Sequence, residues 1–191
     1  MTNNTSEIIS FKTSQEWREW LELHHASSPS ICLKISKIKS PEQTISYQLA
    51  LNEALCFGWI DGQKLPYNEH FWLQKFSKRK PKSTWSKINI QHIERLTLEG
   101  KMMPAGILAV QEAKDDGRWE QAYDAQSQMV IPEDFLMELS KNKSAEQFFQ
   151  SLNRANLFAI YFRLQSAKKP ETRKKRMEKI LEMLSKNEKF H

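Results

Sequence analysis

The chain has 191 residues, a formal net charge of +6 at pH 7, 39% hydrophobic residues and 27% charged residues. A chain of this length buries roughly 70% of its unfolded surface, so it can form a hydrophobic core without disulfide or metal cross-links. The composition excludes an intrinsically disordered, collagen-like or low-complexity protein. Its two cysteines, Cys32 and Cys56, are too few for a disulfide framework or a four-ligand zinc site, and their apolar neighbours predict buried free thiols.

The N-terminal segment and the charge distribution bear on location and partners. Residues 1–10 lack the basic start, apolar run and cleavage site of a secretory signal, and no run approaches roughly 18 apolar residues. We therefore expect a cytoplasmic protein without a membrane span. Residues 168–191 carry 9 Lys or Arg and 4 Glu, and residues 70–93 carry six basic residues and no acidic one. Such asymmetry favours anionic partners, although most charge runs are solvated faces.

The first elements alternate between strand and helix. A β-prone stretch at residues 8–10 precedes Thr13 and Glu16, a capping-box pair that predicts a helix over residues 14–26. Apolar and polar residues alternate over residues 31–38, which predicts a strand.

A second helix is expected to start near Ser46, with Gly58 at its C-terminal cap. The pair Asp61-Gly62 then follows a β-prone run, which predicts a hairpin turn at that pair. Alternation over residues 71–76 predicts the returning strand.

Helical patterns dominate after Ser86. One shorter helix is expected over residues 104–114, and residues 119–130 are ambiguous and suit a linker. The fold class predicted is α+β, with a small antiparallel sheet and helices in a domain over residues 1–125. An all-helical unit is predicted over residues 131–191.

Three longer segments carry a recognisable pattern. They are EALCFGWIDG at residues 53–62, FSKRKPKSTWSKIN at residues 76–89 and AKKPETRKKR at residues 167–176. Together they resemble the YdeI/OmpD-associated family, also called bacteriocin-protection proteins, and the resemblance extends from about Trp17 to the C-terminus.

The resemblance implies a bacterial protein whose family name refers to bacteriocins and an outer-membrane porin. It also implies an N-terminal part similar to YjbR-like and frataxin-like α+β domains. Some members of the family are described as periplasmic, whereas this sequence shows no export signal. The family name brings no catalytic residues with it.

Polar groups lie beside tryptophans between residues 59 and 89, and this segment is the candidate ligand-binding site. The residues predicted to form it are Trp59, Asp61, Arg79, Lys82, Ser83, Trp85, Ser86 and Asn89. Residues 83–86 are expected near a helix N-terminus, which favours an anion, and Arg79 suits a phosphate or a carboxylate. The alternative is structural, with Asp61 in a turn, the serines as helix caps and the tryptophans in the core.

Enzyme signatures are mostly missing from the sequence. It has no Gly-rich phosphate loop, no dinucleotide fingerprint and no Gly-x-Ser-x-Gly elbow, and its five histidines show no paired metal spacing. We therefore predict no cofactor and no metal site. Cys56 could act as a nucleophile beside His24 or His92, but packing is the favoured role for a thiol between Leu55 and Phe57.

The leading hypothesis is a non-enzymatic binding protein that uses a basic aromatic surface for an anionic ligand or a protein partner. One alternative is an enzyme acting on a small anionic metabolite, with Asp61 as acid or base, Arg79 as the anion clamp and Asn89 orienting the substrate.

A second alternative is a weak nucleic-acid binder, in which the basic loop contacts phosphates while Phe71, Trp72, Phe76 and Trp85 stack on bases. A third is a partner protein that uses the C-terminal helices. The apolar stripe of the last helix favours docking on its own domain over a membrane surface.

Overall fold

The computed structural model describes residues 7–125 and 128–190. The strands in these ranges are β1 (Ile8–Ile9), β2 (Ser30–Ser36), β3 (Trp59–Pro66) and β4 (Phe71–Lys78). The helices are α1 (Ser14–His24), α2 (Tyr47–Cys56), α3 (Lys87–Leu98), α4 (Pro104–Asp115), α5 (Glu133–Leu139), α6 (Lys143–Gln150), α7 (Arg154–Gln165) and α8 (Pro170–Ser185). The predicted α+β class is therefore confirmed, whereas similarity to YjbR-like and frataxin-like domains stays a prediction.

The four strands form one mixed sheet in the order β1-β2-β4-β3. Strand β1 pairs in parallel with β2, and β4 pairs antiparallel with both β2 and β3. The predicted antiparallel sheet is therefore wrong for β1, because α1 lies between β1 and β2 in the chain and such a helical connection allows parallel pairing. Strand β4 is thus central, and its residues have a neighbour on each side.

The predicted pair Thr13 and Glu16 caps the start of α1, with Glu16 bonded to the backbone of Lys12, the residue before the N-cap. The Thr13 hydroxyl oxygen accepts a hydrogen bond from the Glu16 backbone nitrogen at 3.2 Å, and the Glu16 carboxylate accepts one from the Lys12 nitrogen at 2.8 Å. These bonds satisfy backbone donors that an uncapped helix would leave exposed. The helix ends at His24, slightly earlier than the sequence predicts.

Trp17 of α1 lies at the centre of an aromatic core. Its ring centroid is 5.4 Å from that of Phe11, 5.9 Å from that of Phe76 and 6.3 Å from that of Trp59. Its indole nitrogen donates to the Ala50 carbonyl at 3.0 Å, so the buried polar group is satisfied.

The hairpin turn predicted at Asp61-Gly62 is wrong. Both residues lie inside β3, where the pairing register with β4 shifts between Asp61 and Lys64. The turn forms around Asn68, whose side-chain oxygen accepts hydrogen bonds from the backbone nitrogens of His70 and Phe71. An Asn side chain can thus supply the turn, and an Asp-Gly pair can instead lie at a bulge.

Helices α2 and α4 approach each other closely at two glycines. A Cβ at Gly106 would lie 2.1 Å from the Cys56 carbonyl oxygen. Gly58, at φ +72°, follows the end of α2 as the sequence predicts, and a Cβ there would lie 2.9 Å from the Ala105 carbonyl oxygen. The absence of side chains at these positions brings the end of α2 beside α4.

The chain divides into two compact units, one formed by residues 1–85 and 89–121 and the other by residues 86–88 and 122–191. The first unit contains the sheet. The second has its own apolar core, formed by Phe135, Leu139, Ala145, Leu152, Ile160, Leu164, Ile180 and Leu184. No helix within the described residues is long and apolar enough to cross a membrane.

Candidate functional site

A cleft of about 580 Å³ opens in the first unit beside the end of β4. We call it the Arg79 cleft. The described residues that line it are Pro29, Phe57, Gly58, Lys78, Arg79, Lys80, Pro81, Ala105, Leu108, Ala109, Glu112 and Arg118. They come from the end of α2, the end of β4 and the loop after it, one side of α4, and the segment after α4.

Backbone hydrogen bonds hold the β4 end of the cleft in place. The Arg79 nitrogen donates to the Gly58 carbonyl at 3.1 Å, and the Lys78 nitrogen donates to the Pro29 carbonyl at 3.4 Å. The start of the basic segment is therefore joined to Gly58, which lies two residues after the end of α2.

The Arg79 side chain is fixed on both sides. Its guanidinium carbon lies 3.5 Å from the centroid of the Trp85 ring, and its Nη1 donates to the Thr84 carbonyl at 3.0 Å. Trp85 is only 1% exposed and packs against Trp119 with ring centroids 5.0 Å apart. A buried ring thus orients a cation at the cleft, an arrangement that favours a guanidinium over an ammonium group.

Arg118 supplies the second guanidinium group of the cleft and is 8% exposed. Its Nε donates to both carboxylate oxygens of Asp116 at 2.7 Å, and its Nη1 donates to the Ser83 carbonyl at 3.1 Å. Asp116 neutralises part of the charge, while the two contacts fix the side chain and join the basic loop to the end of α4. Arg118 therefore both stabilises the loop and faces the cleft.

The lining combines basic and apolar residues. Four of the described lining residues are Lys or Arg, and Glu112 is the acidic one among them. Phe57 and Leu108 are among the apolar lining residues, and Leu108 is an exposed large side chain. An anion with an apolar body would match both kinds of surface.

The cleft includes or adjoins four of the residues that the sequence predicts for the site. Arg79 lines it, Trp85 supports Arg79, and Ser83 accepts the hydrogen bond from Arg118. Lys82 is exposed in the same loop at φ +68°, and it is not among the described residues that line the cleft.

Trp59 and Asp61 have other environments. Trp59 is fully buried, and its indole nitrogen donates to the His25 carbonyl at 3.1 Å. The Asp61 carboxylate accepts a hydrogen bond from the Tyr47 hydroxyl at 2.8 Å. Neither residue is among those of the described chain that line the Arg79 cleft.

The last two predicted site residues lie around the start of α3. Ser86 belongs to the second unit and forms a parallel bridge with Tyr123. Asn89 is buried on α3 in the first unit.

The sequence reasoning missed Arg118. The local sequence shows only that Asp115-Asp116-Gly117 is suited to ending a helix and that Arg118 follows directly. The Asp116 carboxylate also accepts from the Arg118 backbone nitrogen at 3.2 Å, a local turn that such a sequence can indicate. The approach of Arg118 to Ser83, however, depends on tertiary packing.

Cys56 has the properties of a packing residue. Burial, followed by the negative charge of Glu53, raises the pKa of the Cys56 thiol to about 11. The neutral thiol is a poor nucleophile, so this environment does not favour covalent chemistry. Among the described residues, no group of three or more His, Cys, Asp or Glu side chains is arranged to hold a metal ion.

Comparisons with known families match two regions of the chain and supply no ligand. Residues 9–109, more than half of the chain, match a family described as a domain of unknown function (DUF8412). Residues 128–187 match the family described as Bacteriocin-protection, YdeI or OmpD-Associated. No curated protein and no solved structure gives a significant match. The chain therefore belongs to the DUF8412 family and carries a YdeI/OmpD-associated domain at residues 128–187. The predicted resemblance is confirmed for this C-terminal region, which contains the segment at residues 167–176, whereas the segments at residues 53–62 and 76–89 lie in the region that matches DUF8412.

Proposed function

We propose that this YdeI-like protein is a non-enzymatic binding protein that holds an anionic ligand in the Arg79 cleft. One observation carries the proposal: Arg79 and Arg118, from separate segments, line the same cleft and are each fixed by their own partners. Two guanidinium groups offer planar sets of donors that suit a carboxylate or a phosphate.

The fixed side chains favour binding for an energetic reason. Ordering a long side chain on binding costs about 0.5–1.5 kcal/mol. Arg79 is already held by Trp85 and Thr84, and Arg118 is held by Asp116 and Ser83. A ligand would therefore meet donors whose conformational entropy is already largely lost.

The cleft volume and lining suggest the size of the ligand. A volume of about 580 Å³ falls within the range of roughly 300–1,000 Å³ that is typical of small-molecule sites. Leu108, an exposed apolar residue of the lining, adds hydrophobic burial to the charge interaction. We therefore expect a small anion with an apolar body to bind better than a bare inorganic ion.

Two of the three alternative functions, the enzyme and the nucleic-acid binder, receive less support. The enzyme hypothesis needs Asp61 beside Arg79, whereas Asp61 is engaged by Tyr47 and is not among the described lining residues. The nucleic-acid hypothesis needs four exposed rings, whereas Phe71, Phe76 and Trp85 are buried and Trp72 is partly buried. We also propose that the protein is cytoplasmic. We further propose that its two domains cover residues 1–125 and 131–191.

A thermal-shift screen at low salt tests the proposal. The panel pairs each anion with an uncharged analogue, such as hexanoate with hexanamide and glucose 6-phosphate with glucose, and adds single-stranded and duplex DNA. A ligand that binds only the folded state raises Tm in a concentration-dependent way. We expect a small anion, and not its neutral analogue, to raise Tm.

Two results would contradict the proposal. One is the absence of a shift with every small anion. The other is a shift with DNA alone that disappears as salt increases, which would favour the nucleic-acid alternative.

A further inference from the structure

A second basic cleft, of about 300 Å³, lies within the helical unit between α7, α8 and the C-terminal segment. We call it the α7–α8 cleft. The described residues that line it are Phe162, Arg163, Ser166, Arg176, Lys179, Ile180 and Phe190. This set holds three cations, one hydroxyl and three apolar side chains, with no carboxylate among the described lining residues.

Arg176 is fixed at the end of α7. Its Nη1 donates to the Arg163 carbonyl at 2.7 Å and to the Ser166 hydroxyl oxygen at 3.1 Å. The guanidinium group of an α8 residue is thereby anchored on the last turn of α7. An anchored fork of this kind binds an oxyanion with little further loss of side-chain entropy.

The C-terminal segment forms one wall of the cleft. The Phe190 backbone nitrogen donates to the side-chain oxygen of Asn156, which is 1% exposed, at 3.0 Å. The guanidinium carbon of Arg163 then lies 4.3 Å from the Phe190 ring centroid. The cleft is thus built by a buried asparagine and a stacked cation, in addition to surface charges.

Lys179 is the least available of the three cations. Its ammonium group lies 2.9 Å from a carboxylate oxygen of Glu182, which also binds Lys186 at 2.7 Å. The two guanidinium groups therefore supply most of the donors at this site, with Ser166 beside them.

We propose that the α7–α8 cleft binds a phosphate monoester that carries an aromatic or apolar group. Two guanidinium groups match the several oxygens and nearly two negative charges of a phosphate monoester better than the single charge of a carboxylate. Phe162 and Phe190 supply apolar surface for the group attached to the phosphate.

Calorimetric titration of the full-length chain with phenyl phosphate, inorganic phosphate and benzoate tests the proposal. We expect phenyl phosphate to bind more tightly than either of the others. The same titrations on Arg79→Gln separate this site from the Arg79 cleft, since that variant leaves the α7–α8 cleft intact.

Matched variants test whether the cleft itself binds the probe. In the Arg79→Gln background, where the Arg79 cleft is disabled, Arg176→Gln is expected to weaken phenyl phosphate binding by about tenfold or more, because it removes a charge-assisted hydrogen-bond donor. Lys175→Gln removes the same charge from the neighbouring α8 residue, which does not belong to the described lining, and should change affinity by less than about twofold. Phe190→Ala keeps every charge and should weaken phenyl phosphate more than inorganic phosphate. Circular dichroism confirms that each variant is folded.

The outcomes separate the possible explanations. Equal weakening by Arg176→Gln and Lys175→Gln would show diffuse attraction and overturn the proposal. Benzoate binding as tight as phenyl phosphate binding would overturn the phosphate assignment, and a lack of phenyl phosphate binding to Arg79→Gln, whether or not the wild type binds it, would overturn the site. Glu182→Gln, which releases Lys179, should tighten binding, and unchanged affinity in that variant would contradict the assigned role of Lys179.

Discussion

The guanidinium carbon of Arg79 lies 3.5 Å from the centroid of the Trp85 ring, and Trp85 is 1% exposed. Trp85 is therefore a core residue, packed against Trp119, and also the support for a cation that lines the Arg79 cleft. The structural and functional interpretations of this tryptophan are compatible, since different faces of the ring can serve each role.

Substitution of Trp85 should separate these two roles. Trp85→Ala is expected to lower the free energy of unfolding by about 3–5 kcal/mol, as loss of a buried aromatic side chain does. Trp85→Phe should lower the free energy of unfolding much less. It keeps a ring beneath Arg79, and it removes a buried indole N–H that has no hydrogen-bond partner in the described structure.

Urea unfolding of both variants measures the difference, with ligand affinity as the second readout. Trp85→Phe should retain anion binding, because an aromatic face still supports the guanidinium. Equal destabilisation by Phe and Ala would show that the ring is not what holds this region together.

Gly106 should be the least replaceable glycine in the described structure. In Gly106→Ala the new Cβ would lie 2.1 Å from the Cys56 carbonyl oxygen, so α2 and α4 would have to separate. We expect the free energy of unfolding to fall by several kcal/mol, although alanine is by itself more favourable than glycine inside a helix by about 1 kcal/mol.

Gly100→Ala is the matched control. Gly100 has φ +66°, and a Cβ there would have no atom within 4 Å. Gly100→Ala should therefore lower the free energy of unfolding only by the strain of a left-handed backbone, about 1–2 kcal/mol. Urea unfolding of the two variants would contradict the packing account if Gly100→Ala were the more damaging.

Much of the first unit could be predicted because its signals are local. Thr13 and Glu16 mark the start of α1, and Gly58 marks the end of α2. The turn predicted at Asp61-Gly62 is wrong because this pair of residues occurs both in turns and at bulges inside strands. Which of these meanings holds depends on pairing with β4 and on the hydrogen bond from Tyr47 to Asp61.

The Arg79 cleft could be predicted only in part, for a similar reason. Arg79 and Trp85 lie close in sequence, so a basic residue beside a tryptophan could be recognised there as part of a candidate site. Arg118 reaches Ser83 across 35 residues, and Gly58 meets α4 through a close helix contact. Pairings at such separations depend on packing geometry, which one sequence does not reveal.

Cys56 should be unreactive in the folded protein. In a Cys32→Ser background, iodoacetamide should label Cys56 slowly at about pH 8 and rapidly in urea, because the thiolate is the nucleophile and its pKa is raised to about 11. Mass spectrometry of the labelled chain measures both rates. Rapid native labelling would contradict the packing role.

The same pKa shift predicts a loss of stability at alkaline pH. The unfolded thiol ionises near its ordinary value of 9.0, while the folded thiol stays neutral until about pH 11. The stabilising contribution is therefore complete below pH 9.0 and is lost as the pH rises through about 11. The free energy of unfolding of Cys56→Ala, measured across this range, should fall less steeply than that of the wild type, and identical slopes would refute the assignment.

Asp61 should contribute to stability without contributing to binding in the Arg79 cleft. Asp61→Asn and Tyr47→Phe should each lower the free energy of unfolding by about 1 kcal/mol, and their effects should be less than additive, because both remove one hydrogen bond. Anion affinity should stay within about twofold of the wild type in both variants. A large loss of affinity in Asp61→Asn would support the enzyme alternative.

Arg79 is expected to bind the anion directly because of its position in the cleft. Calorimetry tests this by comparing the affinity of the wild type, Arg79→Gln and Lys82→Gln for the anion that gives the largest thermal shift, at low and at physiological salt. Both substitutions remove one positive charge from the same loop, but the described cleft lining includes only the first residue. We expect a loss of about tenfold or more for Arg79→Gln and less than about twofold for Lys82→Gln. Equal losses that disappear as salt increases would contradict this expectation, because they would show attraction by net charge in place of a defined site.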